Sequence, residues 1–460
     1  MIRHSGEHIH MIGIGGAGMS PVAELLHTLG YTITGSDRQS SPASDRLEQL
    51  GIAIQHDHAP ALIRDAALVV YSSAIRETND ERAFARANGI RQIRRAEILG
   101  DLMRMQTTVC IAGTHGKTTT TSMTGTLLMK AGLDPTVLIG GMLRGHGTHA
   151  IIGKGGLMVA EADEFDRSFL AMHPTVAVIT NIDEDHLDCY RDIGEIRDAF
   201  LLFVKKLPFY GTVIACADDE GVRAILPAIE AKTVTYGIDA PGVAFGAADI
   251  TYSGGCATFT LLEGGVNKGE LTLAVPGTHN VRNALASVAV ARLFGVDLPA
   301  IRAALAEFGG VHRRFEVRGV VNGITVVDDY AHHPREIRAT LDAARKVCSG
   351  RVLAVFQPHL YSRTRDFMHE FAQALLAADT IVVTDIYKSR EEPIEGVHAR
   401  GIVEQCRSLG HADVRYVADR EAILSLLRET GRAGDYAVFM GAGDINDVAG
   451  AFAEVTDGKA

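Results

Sequence analysis

Residues 108–121 read TVCIAGTHGKTTTT: a short apolar run, a glycine-bounded turn, one lysine and a train of threonines. An apolar run of this length, closed by Gly113, has the pattern of a buried strand. The turn Gly113-Thr114-His115-Gly116-Lys117-Thr118 then opens a helix. Its backbone N–H groups and the positive end of the helix dipole therefore face whatever lies over the turn, which makes it an anion site. Lys117 is placed to reach the β- and γ-phosphates of a nucleotide, and the Thr118 hydroxyl to ligate Mg²⁺. The turn is shorter than the general phosphate loop, whose first glycine would fall at Ile111. Strand, phosphate turn and helix in succession predict a parallel α/β domain.

The same alternation runs outward in both directions. Towards the N-terminus a strand is expected at 8–14, a helix at 20–29, strands at 32–35 and 67–70, and a basic helical stretch at 94–104. Beyond the phosphate turn, strands at 157–160, 176–179 and 213–215 extend the middle domain. Residues 234–273 differ: short alternating runs broken by turns such as Ser253-Gly254-Gly255 read as a small antiparallel patch. A third series starts after Arg313-Arg314, with strands at 324–327, 352–356, 380–384 and 436–440. The expected architecture is three α/β domains: Rossmann-like at 1–106, a phosphate-loop ATPase domain with its antiparallel patch at 107–313, and Rossmann-like again at 314–460.

Composition narrows the functional class. A net charge of −11 argues against nucleic acid, because affinity for a polyanion rests on Lys and Arg. The six cysteines show no CxxC spacing, so neither a zinc knuckle nor a redox pair is indicated, and Cys110, Cys216 and Cys348 read as core thiols. The first residues, MIRHSGEHIH, lack the apolar stretch of a signal peptide, and no apolar run is long enough to span a bilayer. A cytoplasmic protein without membrane insertion is expected.

Three further segments carry chemistry. Gly13-Ile14-Gly15-Gly16-Ala17-Gly18 follows a strand, opens a helix and has Asp37 about 20 residues on, as the dinucleotide fingerprint asks. Its physics is the recognition of a pyrophosphate and of hydroxyls, which a UDP-sugar offers as well as NAD does. Among the acids of the middle domain, Glu161 ends a buried run and is the favoured Mg²⁺ ligand, while Asp163, Glu164 and Asp166 read as a mostly solvated acidic loop. His186 stands among acids in Asp183-Glu184-Asp185-His186-Leu187-Asp188 and is a second metal-ligand candidate. In the last domain Arg313-Arg314-Phe315-Glu316, Asp328-Asp329-Tyr330-Ala331-His332-His333-Pro334 and Gln357-Pro358-His359-Leu360-Tyr361-Ser362-Arg363 form a cationic, hydrogen-bonding cluster suited to carboxylates and phosphates. Pro334 suits a first helical turn, leaving both histidines on the loop before it.

Together these segments resemble the Mur ligases over nearly the whole chain. The resemblance is carried by GIGGAGMS, GSD at 35–37, SSAI at 72–75, RRAEIL at 94–99, GTHGKTTT, EADE, TNIDEDHLDCY, PGTHNVRNALA, RRFE, DDYAHHPREI, FQPHLYSRT and GAGDI. It implies an ATP- and Mg²⁺-dependent ligase of peptidoglycan precursor synthesis, and hence of cell-wall biogenesis. UDP-N-acetylmuramate, L-alanine and ATP would be its substrates, and a homodimer is compatible with it. It further implies UDP-sugar contacts at Gly15, Gly16, Ala17, Gly18, Met19, Ser20, Ser36, Asp37, His58, Ser72 and Ser73. ATP contacts are implied at Gly113, Thr114, His115, Gly116, Lys117, Thr118 and Thr119, with His279, Asn280 and Asn283 near the adenine. Metal ligands would be Thr118, Glu161 and His186. The amino-acid end would hold Tyr330, His332, His359 and Arg363, and Lys117, Glu161, His186, Arg313, Arg314 and His332 would serve the chemistry. Phe165, Arg167 and Asp80 depart from the family's pattern.

Two other classes compete. An NAD-dependent oxidoreductase accounts for 13–18 and Asp37 and leaves the second phosphate turn unexplained. A regulatory or transport ATPase accounts for 113–118 and leaves the first. Within the family, a ligase adding another amino acid or a recycled tripeptide is the nearest alternative.

Overall fold

A computed structural model describes residues 6–16, 18–72, 74–141, 150–185, 189–389 and 391–454. The chain folds as two compact units: Met1–Ala247 with Leu261–Lys268 and Arg282–Leu305, and Ala248–Thr260 with Gly269–Val281 and Ala306–Ala460.

The first sheet has five strands, β1 (His8–Ile12), β2 (Thr32–Ser36), β3 (Ala53–Gln55), β4 (Leu68–Tyr71) and β5 (Arg91–Arg94), all parallel in the order β3-β2-β1-β4-β5. The order reverses direction at β1, so the glycine turn after β1 lies at the switch point where doubly wound sheets bind ligands. Helix α1 (Ser20–Thr28) follows that turn with Pro21 in its first turn, and buries Val22, Ala23, Leu25 and Leu26.

The second sheet is built around Thr107–Ala112, with parallel neighbours Val176–Ile179 on one side and Leu157–Ala162 on the other. Val109, Cys110 and Ile111 are fully buried. Burial on both faces is why this strand reads as one apolar run. Strands Phe245–Ser253, Cys256–Glu263 and Val266–Leu273 are joined by Gly254-Gly255 and Gly264-Gly265, all four with positive φ. These are the two-residue turns that antiparallel hairpins favour. The antiparallel patch is therefore shorter than the expected 234–273. Lys232–Gly237 pairs parallel with Thr212–Cys216, and its burial rises along the strand from exposed Lys232 to buried Gly237.

The third sheet orders its strands Glu316–Val321, Ile324–Asp329, Tyr436–Met440, Val352–Phe356, Thr380–Val383 and Val414–Tyr416. The first is antiparallel to the second and the remaining pairs are parallel. Glu316–Val321 escaped the sequence reading because Val317 and Val320 face solvent and Gly319 interrupts the run. The expected fold class, α/β with three mostly parallel sheets and a small antiparallel patch, is what the chain adopts.

None of the six cysteines is in a disulfide. Cys110 and Cys216 are buried as expected, and burial raises the Cys216 thiol to about 11. Cys348 is only half-buried, and Cys406 is the third core thiol. Among the described residues no helix is long and apolar enough to cross a membrane.

Candidate active site

In the first unit the phosphate turn sits between strand Thr107–Ala112 and helix Lys117–Lys130. Gly113 has φ +139°, and a Cβ there would lie 2.0 Å from Thr180 Oγ1. Gly116 has φ +82°, and a Cβ there would meet Asn283 Oδ1 at 2.8 Å, so Asn283 lies directly over the turn. The His115 N–H donates to Asn181 Oδ1 at 2.7 Å, and Thr180 Oγ1 donates to the His115 carbonyl at 2.7 Å. The His115 ring approaches Asp183 at 3.3 Å. Residues of the neighbouring strand end thus hold the turn from below.

Lys117 Nζ donates to Glu164 Oε2 at 2.7 Å and lies 3.5 Å from Asp163. Burial works against this ammonium, but Glu164, Asp163 and Glu161 outweigh it and hold Lys117 protonated above the usual lysine range. Glu164 is buried, so the expectation that it belongs to a solvated acidic loop is wrong: it is the counter-ion of the phosphate-turn lysine. The Tyr190 hydroxyl, also buried, donates to the Glu164 carbonyl at 2.7 Å and fixes that segment. Glu161 lies inside strand Leu157–Ala162, one residue from its end. Its Oε1 accepts from the Thr118 hydroxyl at 3.0 Å and its Oε2 from the Gly140 N–H at 2.9 Å. Burial raises its carboxyl above the usual range against the pull of Lys117. A hydroxyl and a carboxylate converging in this way are the hard oxygen donors that Mg²⁺ takes. His186 lies outside the described residues.

Of the residues that depart from the family pattern, Arg167 binds Glu195 at 2.6 Å and has φ +61°, beside Asp166 at +50°. Asp80 opens a helix whose first N–H groups are capped by Asn79.

At the first sheet, the N–H groups of Gly13 and Ile14 donate to the Ser36 carbonyl at 2.8 and 3.0 Å, and the Gly15 N–H donates to Asp37 Oδ2 at 2.9 Å. The glycine turn, Ser36 and Asp37 are thereby one assembly. Met19 and Ser20 are buried at the start of α1, and Gly18 packs against Arg95, where a Cβ would come within 2.7 Å of the guanidinium. Ser72 follows β4 and donates its N–H to Ile12 O at 3.2 Å. Ser36 is fully buried, and its hydroxyl donates to Glu81 at 2.5 Å, away from the turn. Ala17 and Ser73 lie outside the described residues.

In the second unit, Arg313, Arg314, Tyr330, His332 and His359 come together. The guanidinium groups of Arg313 and Arg314 lie 5.0 and 5.2 Å from the centre of the Tyr330 ring. Tyr330 meets His332 edge-on at 5.3 Å, and His332 meets His359 at 5.9 Å. Arg363 falls in the short helix Tyr361–Asp366 that follows. His333 is the residue before helix Pro334–Val347, as Pro334 implied, and it is buried. At the start of helix Thr278–Leu293, Asn280 Nδ2 donates to the Pro276 carbonyl at 2.7 Å, and the His279 ring occupies the space a Cβ on Gly277 would need.

Asp328 and Asp329, quoted within the last-domain cluster and given no role, belong to strand Ile324–Asp329 and shape the arginine patch from beneath. Asp328 is fully buried, 3.6 Å from Arg313 Nε. Asp329 accepts from the N–H groups of Phe315 at 2.7 Å and Ala331 at 2.8 Å. Arg313 and Phe315 both have positive φ, a conformation that costs a non-glycine residue about 1 kcal/mol or more and persists only where the surroundings dictate it. Burial raises the Asp329 carboxyl to about 6, against Arg314 and the two N–H donors. The folded state then binds this proton more tightly than the unfolded chain. Stability should fall as pH rises from about 4 to about 6, by at most about 3 kcal/mol from this group. Asp329→Asn should flatten that limb of a melting-temperature profile. An unchanged slope would assign it to other groups.

Three family models cover most of the chain: "Mur ligase family, catalytic domain" at residues 8–107, "Mur ligase middle domain" at 111–291 and "Mur ligase, glutamate ligase domain" at 313–443. The chain is 47% identical over 449 residues to UDP-N-acetylmuramate–L-alanine ligase of Sorangium cellulosum, covering 97% of this chain and 96% of that one. Among solved structures it is similar to UDP-N-acetylmuramate-alanine ligase of Thermotoga maritima, with TM-score 0.81, 31% identity and coverage of 97% and 98%. It is also similar to a murein peptide ligase of Psychrobacter arcticus, with TM-score 0.68, 28% identity and coverage of 96% and 97%. Two glycine turns on separate parallel sheets, a half-buried lysine at one of them and three matching family models lead to one conclusion: the chain belongs to the Mur ligase family.

Proposed function

We propose that this chain joins L-alanine to the lactyl carboxylate of UDP-N-acetylmuramate at the expense of ATP, in the cytoplasm. The observation that carries the reading is the pairing of two phosphate turns of different design: one ends in Lys117 and Thr118, the other is tied to Asp37 through the Gly15 N–H. Relatives of that activity at 47% identity support the choice of substrates over those of the murein peptide ligase. Domain boundaries near 106 and 313 are part of the proposal, supported by the three sheets.

In this reading the carboxylate of the sugar attacks the γ-phosphorus, ADP leaves, and the amine of alanine displaces phosphate from the acyl phosphate. Lys117 neutralises charge on the transferring phosphoryl group, and the backbone N–H groups of the turn orient it. Thr118 and Glu161 would hold Mg²⁺, which supplies electrostatic stabilisation of the phosphate oxygens when bound. The aromatic and cationic patch of Arg313, Arg314, Tyr330, His332 and His359, with Arg363, is the proposed amino-acid end. His279, Asn280 and Asn283 are the proposed adenine contacts.

The test is ADP release with UDP-N-acetylmuramate against a panel of amino acids and the recycled tripeptide. L-Alanine should give the highest kcat/KM. A higher value for the tripeptide would move the chain to the other branch of the family.

A further inference from the structure

Asp218 follows the carboxyl end of strand Thr212–Cys216, on the same edge of the second sheet as the phosphate turn, and the proposed reaction gives it no role. Its side chain is only 6% exposed. Oδ1 accepts from the N–H groups of Asp239 at 3.0 Å and Ala240 at 2.9 Å, while Oδ2 accepts from the Ile238 N–H at 2.8 Å and from Arg282 Nε at 2.7 Å. Two carboxylate oxygens offer about four lone-pair sites, and these four donors fill them. Burial pushes the carboxyl up, but Arg282 and the N–H groups of Ile238 and Ala240 outweigh it and hold it below the usual carboxylate range. Gly237 leaves the room, since a Cβ there would lie 2.5 Å from Asp218 Oδ1. An ionised carboxylate thus ties the loop after strand Lys232–Gly237 to one arginine.

That arginine stands near the start of helix Thr278–Leu293, next to Asn283. Its Nη2 donates to Asp239 Oδ2 at 2.9 Å, so the guanidinium is held at two points. Neighbouring residues on a helix point about 100° apart, so anchoring Arg282 on one side fixes which way Asn283 faces. Asn283 faces the phosphate turn, where its Oδ1 closes the space over Gly116. Ser287, one turn further along the same face, accepts from the Thr124 hydroxyl of helix Lys117–Lys130 at 3.0 Å. Residues 284–291 are buried on every side, whereas Thr278, His279 and Arg282 are not. Apolar packing therefore fixes the later turns, and the start of the helix relies on its polar contacts.

From this arrangement we infer that Asp218 is a positioning residue for the nucleotide: through Arg282 it sets the rotation of the helix start, and with it the place of Asn283 over the phosphate turn. None of these hydrogen bonds involves Lys117, Thr118 or Glu161. The network therefore bears on how tightly the nucleotide is held and not on phosphoryl transfer once it is bound. The inference rests on the proposed reading of that turn as the ATP site. It adds a residue, outside every contact assigned to ATP, that governs ATP affinity.

The test follows ADP release by the full-length protein, with ATP and UDP-N-acetylmuramate binding measured by calorimetry. Asp218→Asn keeps the shape of the side chain but turns an amide donor towards groups that themselves donate. It should raise the KM for ATP at least about fivefold and leave kcat within about twofold, the pattern of lost binding without lost transition-state stabilisation. UDP-N-acetylmuramate affinity should stay within about twofold of wild type. A role confined to stability would instead lower the melting temperature and leave the ATP affinity of the folded fraction intact. In an Asn283→Ala background the same substitution should change the KM for ATP by less than about twofold, because its effect passes through Asn283. If Asp218→Asn does not fold, Arg282→Gln takes its place in both measurements. An unchanged ATP affinity, a loss that falls on kcat, an equal weakening of UDP-N-acetylmuramate binding, or a full effect retained without Asn283 overturns the inference and leaves the ATP-site reading standing. Failure of the wild type to bind ATP overturns both.

Discussion

Lys117→Ala should abolish ADP formation, lowering kcat by on the order of 10³-fold or more. The lysine is the strongest positive group on the phosphate turn, and phosphoryl transfer gives the protein little to do beyond positioning and neutralising charge. Its environment says that it is charged: Glu164 at 2.7 Å and Asp163 at 3.5 Å hold it so. The same contacts predict a second effect. Truncation leaves the buried Glu164 carboxylate without its partner, which costs about 3–5 kcal/mol when a buried pair is broken from one side. The melting temperature should therefore drop along with activity, and Lys117→Ala with Glu164→Gln should recover much of the stability and none of the turnover. UDP-N-acetylmuramate binding, measured by calorimetry on the folded fraction, should be close to wild type, because the glycine turn of the first sheet is held by Ser36 and Asp37 and not by Lys117. Retention of most of the turnover in Lys117→Ala would remove the phosphate-turn assignment.

What could be read before folding follows from how local each signal is. The phosphate turn was legible because strand, glycines, lysine and helix start are contiguous, and the strand is buried on both faces. The glycine turn of the first sheet was legible for the same reason, and Asp37 because it lies one β-α-β unit away. Glu164 was misread because its burial comes from elsewhere: Tyr190 and Lys117 are 26 and 47 residues distant. Four acids in six residues look solvated until tertiary structure selects one of them. Asp328 and Asp329 stood in a quoted motif without a role, since nothing local says that a strand continues through two aspartates beneath an arginine patch. The Asp218–Arg282 network was invisible as a network for the same reason: its members come from two loops and a helix, up to 64 residues apart. The edge strand Glu316–Val321 shows the complementary failure, in which a true strand lacks the pattern because its outer residues face solvent.

Glu161→Gln should lower kcat about 10²- to 10³-fold at ordinary Mg²⁺ concentrations, with most of the loss appearing as a raised Mg²⁺ requirement. Glu161 stands beside the phosphate turn on the adjacent strand, paired Ile111↔Glu161 in register, so its carboxylate lies level with the turn's first residues. The Thr118 hydroxyl already points at its Oε1, which brings the two proposed oxygen ligands within 3.0 Å of each other, and the Gly140 N–H fixes the other oxygen. Glutamine keeps the length and one acceptor oxygen of this side chain and removes the charge. If Glu161 only braced Thr118 and Gly140, the substitution would cost little, since an amide oxygen can accept from one of them. If it binds the ion, the amide weakens that site, because a hard divalent cation prefers an anionic oxygen. A Mg²⁺ titration of ADP release separates the two: the variant's half-saturating concentration should rise at least about tenfold, with part of the rate restored at high Mg²⁺. Nucleotide binding in the absence of divalent ions should be the same in both proteins. A variant with unaltered Mg²⁺ dependence and wild-type turnover would leave Glu161 a bracing residue and put the metal on other ligands.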